Sequence, residues 1–404
     1  MNFSNETVQN ILQEFASPIY LYDVDAIQQR YENLNSAFNE QYPNTHIALS
    51  YKTCPLLGIL KTLQDKGAMP EVVSEFECDM ASLLKPDKMI INGPHKTDKM
   101  LAQAIEQEYI INIDHQQEIQ RINTLSKQLG KITKVGIRLS LGDGWNRFGF
   151  EYNENLWSKI SKIQDQQNNL KIVGVHVHVG TGIRDYKVFT NAANALAQAL
   201  SNWPFDWPME WVDLGGGLAG ISPKWQEDIE QHELPCLESY AQAWLTPLKN
   251  ILLKHKPLVI VEPGRTLFEP FAGLLTQVVT RRDSNDKNQS LVINGGINAV
   301  PTARVYRHPL HSQHTLAKTV TEKLSTNIYG PLCLQADTLA KNTPLNKMQS
   351  GDWIIIQGVG AYNQSRSVPF IQTRPGVAGL IDGHWQWLRH HETVNDHLKL
   401  EVWG

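Results

Sequence analysis

Short apolar runs alternate with helix-length segments through the first two thirds of this chain. Eight of these runs, rich in β-branched residues, precede residue 270: HIALSYK, PEVVSEF, KMIING, YIINID, KVGIRLS, KIVGVHVHVG, MEWVDLGGG and LVIVEPGR. The segments between them, such as TDKMLAQAIEQE, carry apolar residues at helical spacing, and several end at a glycine that can cap a helix. Eight alternating β/α units predict an α/β fold of the (β/α)8 barrel type.

The pattern changes after residue 270, where strand-like runs follow one another with few helical segments between them. These runs are FAGLLTQVVTRR, SLVINGG, DWIIIQGVGAY, GVAGLIDGHWQWL and LKLEVWG. An earlier run, SPIYLYD at 17–23, precedes the first barrel strand and is a candidate to pair with it. We therefore predict a barrel over residues 24–270 and a mostly antiparallel β domain formed by 1–23 and 271–404.

Composition argues against several classes of partner. A chain of 404 residues with 41% hydrophobic residues can bury a large core, and its net charge of −4 argues against a nucleic-acid surface. The N-terminus lacks a basic segment followed by an apolar core, and no stretch approaches the ~18 apolar residues of a membrane span. We expect a cytoplasmic protein that acts on a small molecule, with neither nucleic acid nor membrane as a partner.

The cysteines give no framework for the fold. Cys54, Cys78, Cys236 and Cys333 are scattered without the spacing of a metal site or a disulfide-rich domain. We therefore predict no metal site and no disulfide framework, and each cysteine is by default an inert small hydrophobic side chain.

The chemistry of a (β/α)8 barrel is carried at the C-terminal ends of its strands. Here those ends carry polar side chains or glycines of many kinds: Lys52, Ser74, Asn92, Asp114, Arg138, His178, Gly215 to Gly217, Glu262 and Arg265. Packing alone does not explain so varied a set, so we expect a functional site at this rim.

Two of the strand ends favour a phosphorylated ligand. The stretch DLGGGL places Gly215, Gly216 and Gly217 in succession, so that backbone N–H groups can approach an anion. A glycine run by itself is also typical of a tight turn. The next strand ends in VEPGR, where Arg265 can complete a phosphate clamp, and barrel phosphate sites often use these last two loops.

The remaining polar groups suit pyridoxal phosphate. Lys52 ends an apolar strand, where its amine can form a Schiff base, although a lysine in isolation is more often a side chain that reaches out to solvent. Glu262 can keep the pyridine nitrogen protonated, so that the ring accepts electrons. His176 and His178 alternate along GVHVHVG, and we expect His178 to lie on the ring and His176 to be a core histidine.

The ordered set SPIYLYD, YKT, EVVSEFE, NGPHKT, RFGF, HVHVGTG, DLGGG, EPGR, GPLC and GAY resembles one family over nearly the whole chain. This is the pyridoxal-phosphate decarboxylases of alanine-racemase-like fold, typified by diaminopimelate and ornithine decarboxylases. The resemblance implies Lys52 as the Schiff-base lysine, His178 as the stacking histidine and Glu262 as the partner of the ring nitrogen. It implies further cofactor contacts at Glu71, Arg138, Thr181, Gly215, Gly216, Gly217, Gly264, Arg265 and Tyr362.

The same resemblance assigns a role to Cys333 in GPLC. In such decarboxylases this cysteine reaches the active site of the neighbouring subunit and protonates the α-carbon after carbon dioxide leaves. The implied enzyme is a homodimer with shared active sites, and Cys333 is a catalytic general acid.

The segment after Cys333 departs from the family pattern. Leu334 stands where those enzymes carry an acid that binds the distal amine of the substrate, and a buried ammonium without a partner is costly. Thr302 stands where arginine is usual, and new arginines occur nearby in sequence. The candidate substrate-binding residues are Arg304, Arg307, Leu334, Asp337, Arg366 and Phe370.

These departures favour a substrate whose distal group is acidic or acylated. Our leading prediction is an α-decarboxylase of a citrylated diamino acid, as in siderophore biosynthesis. The alternative within the class is diaminopimelate decarboxylase of lysine biosynthesis. Outside the class, the alternatives are an amino-acid racemase, which would resemble a pattern with arginine in place of Glu262, and a non-catalytic homologue.

Overall fold

The structure is a computed structural model that describes residues 4–141, 147–222, 224, 233–285, 287–314 and 323–402. The chain divides into two compact units. The barrel unit comprises Arg30–Ala219 and Pro235–Gly264, and the β unit comprises Met1–Gln29, Gly220–Leu234 and Arg265–Gly404.

The strands of both units are numbered in chain order. They are β1 (Ile19–Asp23), β2 (Thr45–Ser50), β3 (Met69–Val72), β4 (Ile90–Ile91), β5 (Ile110–Ile113), β6 (Thr133–Ser140), β7 (Phe150–Glu151), β8 (Leu170–His176), β9 (Trp211–Asp213), β10 (Leu258–Val261), β11 (Ala272–Asn285), β12 (Asn288–Ile293), β13 (Leu310–Gln313), β14 (Lys323–Tyr329), β15 (Thr338–Asn346), β16 (Trp353–Gln357), β17 (Gly376–Ile381) and β18 (His384–Arg389).

The helices are numbered in the same way. They are α1 (Asn5–Glu14), α2 (Val24–Gln41), α3 (Leu57–Gln64), α4 (Glu75–Ser82), α5 (Asp98–Glu106), α6 (Gln116–Gln128), α7 (Leu156–Gln164), α8 (Tyr186–Ser201), α9 (Leu237–His255), α10 (Arg265–Phe268) and α11 (Val394–Leu398), with 3-10 turns at Glu269–Phe271 and Pro301–Arg304. Within the described part of the chain, no helix combines the length and the apolar character needed to cross a membrane.

Eight parallel strands close into the predicted barrel. Their order around the barrel is β2, β3, β4, β5, β6, β8, β9 and β10, and closure comes from the pairing of β10 with β2 and of β5 with β6. Each predicted apolar run supplies one of these strands. The helices between them begin where the sequence provides caps: Ser74 accepts a hydrogen bond from the Glu77 N–H at α4, and Thr97 accepts one from the Met100 N–H at α5.

The β unit is a mixed, mostly antiparallel sheet in the order β15, β14, β12, β11, β1, β17 and β18, with β16 paired to both β11 and β13. Strand β1 pairs antiparallel with β11 and parallel with β17. The expectation that SPIYLYD pairs with the first barrel strand is therefore wrong. Its residues Ile19 to Tyr22 are fully buried between two strands of the β unit, where the Tyr22 hydroxyl donates to the Gly360 carbonyl at 3.3 Å.

Two further segments differ from the sequence prediction. LKLEVWG forms no strand within its described residues, 398–402, where Leu400 and Val402 are almost fully exposed and pair with no neighbouring strand. The described residues between 220 and 234, namely 220–222, 224, 233 and 234, lie between barrel strands in sequence but group with the β unit. There the Ser222 N–H donates to Glu269 Oε1 at 2.8 Å.

Candidate active site

The polar strand ends of the barrel unit form a buried network around Lys52. Its ammonium donates to Glu71 Oε2 at 2.6 Å and to Ser50 Oγ at 2.8 Å. Glu71 is 1% exposed, and burial alone would raise its pKa, but the charge and hydrogen bond of Lys52 lower that pKa. The lysine is thus a partly exposed amine that is held in place by a buried carboxylate.

Glu262 follows β10 and lies beside a second acid. Asn92 Nδ2 donates to Glu262 Oε1 at 2.5 Å, and the fully buried Asp213 ends the adjacent strand β9. Burial, followed by the charges of Asp213 and Glu71, raises the pKa of Glu262 well above its usual range. This environment therefore favours the protonated form of the Glu262 carboxyl.

The two histidines of HVHVG differ in environment. His178 is half-buried, and its Nδ1 accepts a hydrogen bond from the Gly216 N–H at 3.2 Å. Burial, followed by Lys52 and Arg138, lowers the pKa of His178 to about 4, so its imidazole is neutral. His176 is buried with neither ring nitrogen hydrogen-bonded within the described residues, and its Nε2 lies 3.9 Å from Glu262 Oε2.

The glycine-rich turn after β9 is shaped for close backbone approach. A Cβ atom added at Gly216 would lie 2.4 Å from the Glu262 carbonyl oxygen, and one at Gly217, where φ is +96°, would lie 2.9 Å from the Gly180 carbonyl oxygen. A Cβ at Gly264 would lie 2.4 Å from Thr53 Oγ1, a buried hydroxyl without a hydrogen-bond partner within the described residues. This cradle of glycines fits an anionic group that backbone N–H groups and a hydroxyl would bind.

The barrel unit places the other predicted cofactor residues on nearby strand ends and loops. Arg138 Nη1 lies 3.5 Å from Asp114 Oδ1, and its guanidinium lies 4.8 Å from the centre of the Phe148 ring. Thr181 is exposed on the loop after β8.

Arg265 and Tyr362 belong to the β unit. The Arg265 guanidinium donates to Glu269 Oε2 and to the Tyr306 hydroxyl, each at 2.7 Å, and it lies 4.9 Å from the centre of the Tyr362 ring. Burial would lower the pKa of Arg265, but Glu269 raises it. Arg265 is thus fixed in orientation before any ligand binds.

The predicted substrate residues lie in loops and short turns of the β unit. Exposed members are Cys333, Leu334, Arg304, Arg366 and Phe370, whereas Arg307 is partly buried. Thr302, at the position where arginine is usual, is buried, and its Oγ1 is hydrogen-bonded to Asn363 Oδ1 at 2.7 Å.

Asp337 is placed differently from its expected role in binding substrate. It is 2% exposed, and its two carboxylate oxygens accept hydrogen bonds from the Ile297 and Leu332 N–H groups, each at 2.8 Å. A Cβ at Gly330 would lie 2.2 Å from Asp337 Oδ2. The acid four residues after Cys333 therefore holds the GPLC loop in shape, and we do not propose it as a substrate ligand.

Sequence reasoning missed several buried members of the site. Asp213 precedes the glycine turn and Asn112 lies in an apolar run, and neither was predicted to belong to the site. Lys96 of the GPHKT segment was not assigned a role, yet it forms a fully buried ion pair with Glu118 at 3.0 Å. The available signal was a charged or amide residue inside an otherwise apolar strand or motif, which is costly unless it is paired.

The rim of the (β/α)8 barrel presents a lysine, a carboxylic acid, a neutral imidazole and a glycine cradle. This combination is typical of pyridoxal-phosphate enzymes with the alanine-racemase-like fold. Residues 24–269 match the family described as pyridoxal-dependent decarboxylase, pyridoxal binding domain. The chain belongs to this family, and it is a pyridoxal-phosphate-dependent amino-acid decarboxylase.

The curated relatives and solved structures agree with this assignment. The chain is 27% identical to the diaminopimelate decarboxylase of Aquifex aeolicus, over 96% of this chain and 92% of the relative. It is 27% identical to that of Helicobacter pylori, over 98% of each. The crystal structure of diaminopimelate decarboxylase from M. jannaschii in co-complex with L-lysine superposes with a TM-score of 0.88 at 25% identity, covering 98% of this chain and 94% of that one.

Proposed function

We propose that this enzyme removes the α-carboxyl group of an amino acid that carries a carboxylate at its distal end. Diaminopimelate is the first candidate, because the relatives named above, which span nearly the whole chain, are diaminopimelate decarboxylases. These comparisons favour the alternative from the sequence over its leading prediction, a citrylated diamino acid.

A second candidate remains because of one observation. Leu334 is 39% exposed next to Cys333, and it offers no charge to a distal ammonium group. Arg304 and Arg366 are exposed in the same unit and suit a carboxylate. An N-acylated substrate such as a citrylated diamino acid, which has distal carboxylates and no free distal ammonium, would fit this set.

The residues of the site fit the cofactor in the following way. The Lys52 amine would hold the aldehyde carbon of pyridoxal phosphate, Glu262 would face its ring nitrogen, and the neutral His178 would lie against the ring. Gly215 to Gly217 and Gly264 would bind the phosphate, with Thr181 as a further ligand. When bound, the cofactor accepts the electron pair that remains on the α-carbon after carbon dioxide leaves.

Cys333 would hold the proton that replaces the lost carboxyl group. We propose that it acts in the site of a second copy of the chain, so that the enzyme works as a homodimer. The exposure of Cys333 and Leu334 on a single chain supports this arrangement, because both positions are accessible to another subunit.

The test is carbon dioxide release from a panel of meso-diaminopimelate, ornithine, lysine and their N-citryl derivatives. We expect turnover of diaminopimelate or of an N-citryl derivative, and little release from ornithine or lysine, which lack a distal carboxylate. Efficient release from ornithine or lysine alone would refute the proposed distal carboxylate.

Substitution of Leu334 by Glu separates the two candidates. A new carboxylate would repel an acylated, anionic tail, so activity on an N-citryl substrate should fall roughly tenfold or more, whereas diaminopimelate, with its ammonium, should not be repelled in this way. Leu253→Glu is the control, since Leu253 is 62% exposed on α9 of the barrel unit. Equal effects of the two substitutions would remove Leu334 from substrate selection.

A further inference from the structure

Three buried polar side chains inside the barrel unit, Trp211, Asn112 and Asn92, form a hydrogen-bonded set that we call the amide network. Trp211 begins β9, Asn112 lies within β5, and Asn92 directly follows β4. The three residues are only 5%, 2% and 3% exposed. Buried polar groups are costly unless they are hydrogen-bonded, so the partners of these side chains indicate what the network does.

The indole of Trp211 sets the direction of both amides. Its Nε1–H can only donate, and it donates to Asn112 Oδ1 at 3.1 Å, so the Asn112 NH2 group must lie on the other side. That NH2 group donates to Asn92 Oδ1 at 3.0 Å and to Asp213 Oδ2 at 2.9 Å. The Asn92 oxygen is thereby used as an acceptor, and the Asn92 NH2 group points away from Asn112.

The Asn92 NH2 group joins two carboxyl groups of the proposed cofactor site. It donates to Glu262 Oε1 at 2.5 Å and to Glu71 Oε1 at 3.2 Å, which uses both of its hydrogens. The other oxygen of Glu71 accepts from the Lys52 ammonium at 2.6 Å. A reversed Asn92 amide would present its carbonyl oxygen to both carboxyls and lose both hydrogen bonds. The direction of this one amide therefore decides whether the two acids are held together.

Two glycines on neighbouring strands make room for the Trp211 end of the network. A Cβ atom at Gly136 in β6 would lie 2.5 Å from Asn112 Oδ1 and 2.7 Å from Trp211 Nε1, the two atoms of their hydrogen bond. A Cβ atom at Gly174 in β8 would lie 2.3 Å from Trp211 Cε2. Glycine within a strand marks a close approach of other atoms to the backbone. The barrel is thus shaped around this hydrogen bond.

We propose that Asn92 is a positioning residue of the cofactor site, and that Trp211 and Asn112 set the direction of its amide. Asn92 holds the Glu71 and Glu262 carboxyls in a fixed relation. The amine that binds the aldehyde carbon and the acid that faces the ring nitrogen are thereby aligned for the same cofactor. The inference rests on the proposed roles of Lys52 and Glu262 and is independent of the substrate.

The test compares the binding of pyridoxal phosphate with that of an analogue whose ring nitrogen is replaced by C–H. Each ligand is titrated into the full chain freed of cofactor. Only pyridoxal phosphate can use Glu262, so wild type should bind it more tightly than the analogue. Asn92→Leu keeps most of the side-chain volume but removes both donors, and this preference should fall roughly tenfold. Asn194→Leu, at an exposed position on α8, is the control and should keep the preference.

Circular dichroism confirms that each variant is folded. An equal loss of affinity for the two ligands in Asn92→Leu would overturn the proposal, because a substitution that only loosens the barrel weakens both. A wild type that binds the two ligands equally would contradict the role of Glu262, and the proposal would fall with it.

Trp211→Phe tests the direction of the amides without a change beside the cofactor. Phenylalanine keeps an aromatic ring but lacks the indole N–H that orients Asn112, so the preference for pyridoxal phosphate should fall by a smaller factor. This effect reaches the site through Asn92, so the double variant with Asn92→Leu should show the preference of Asn92→Leu alone. Additive losses would overturn the role of Trp211. If Asn92→Leu does not fold, Trp211→Phe decides alone, and an unchanged preference in it would refute the proposal.

Discussion

The ion pair between Lys96 and Glu118 leads to a quantitative prediction about the barrel unit. Both side chains are 0% exposed, and Lys96 Nζ donates to both Glu118 oxygens at 3.0 Å and to the Gly93 carbonyl at 2.7 Å. Glu118 Oε2 also accepts from the Asp114 N–H at 2.7 Å, directly beyond β5. The pair thus fixes the strand end that faces Arg138.

Lys96→Met keeps most of the side-chain volume and leaves Glu118 as a buried charge with one remaining hydrogen bond. Breaking a buried pair in this way should cost about 3–5 kcal/mol of unfolding free energy. For a unit of this size, about 2–4 °C per kcal/mol gives a melting temperature lower by about 6–20 °C. Thermal unfolding followed by circular dichroism measures this shift.

Lys99→Met is the matched control. Lys99 lies three positions away and also contacts two carboxylates, Glu75 and Asp79, each at 2.9 Å, but its side chain is 62% exposed. Solvent screens such pairs, so the control should lose much less stability than Lys96→Met. The double variant Lys96→Met with Glu118→Gln should recover most of the lost stability, because no charge is left buried and the glutamine oxygen can still accept from the backbone.

Equal shifts of the melting temperature in Lys96→Met and Lys99→Met would refute the predicted cost of breaking the buried ion pair. A double variant that is less stable than Lys96→Met alone would also refute it, because the unpaired charge of Glu118 would then not explain the lost stability.

Three further predictions concern the cofactor site. Lys52→Ala should abolish the visible absorbance of protein loaded with pyridoxal phosphate, whereas Lys61→Ala, at an exposed lysine on α3, should retain it; a coloured Lys52→Ala protein would contradict the assignment. Cys333→Ala should keep the colour but lose α-protonation, and mixing it with Lys52→Ala chains should restore activity if sites are shared; confirmed heterodimers without recovery would exclude sharing. Gly216→Ala should weaken cofactor binding by roughly 1–3 kcal/mol, because its Cβ would lie 2.4 Å from the Glu262 carbonyl, and an unchanged dissociation constant would show that the turn does not approach the cofactor.

Much of the architecture could be predicted because it depends on local patterns. Alternation of strand and helix periodicity identified all eight barrel strands, and the rule that barrel chemistry lies at strand ends singled out Lys52, His178 and Glu262. The failures occurred where pairing is not local. The segment SPIYLYD has the pattern of a strand, but its own residues do not indicate that the strand pairs with β11 and β17.

The sequence by itself therefore determined the class of fold, the family and the chemical types of the rim residues, because periodicity and residue type are properties of short segments. Only the tertiary structure decided which buried polar groups are hydrogen-bonded to each other. Asn92 and Glu262 are 170 positions apart, and Asn112 and Asp213 are 101 apart, yet closure of the barrel brings each pair within hydrogen-bonding distance. A buried polar group is costly unless it is hydrogen-bonded or paired, so the roles of Asp337 and Lys96 follow from contacts that no local pattern records.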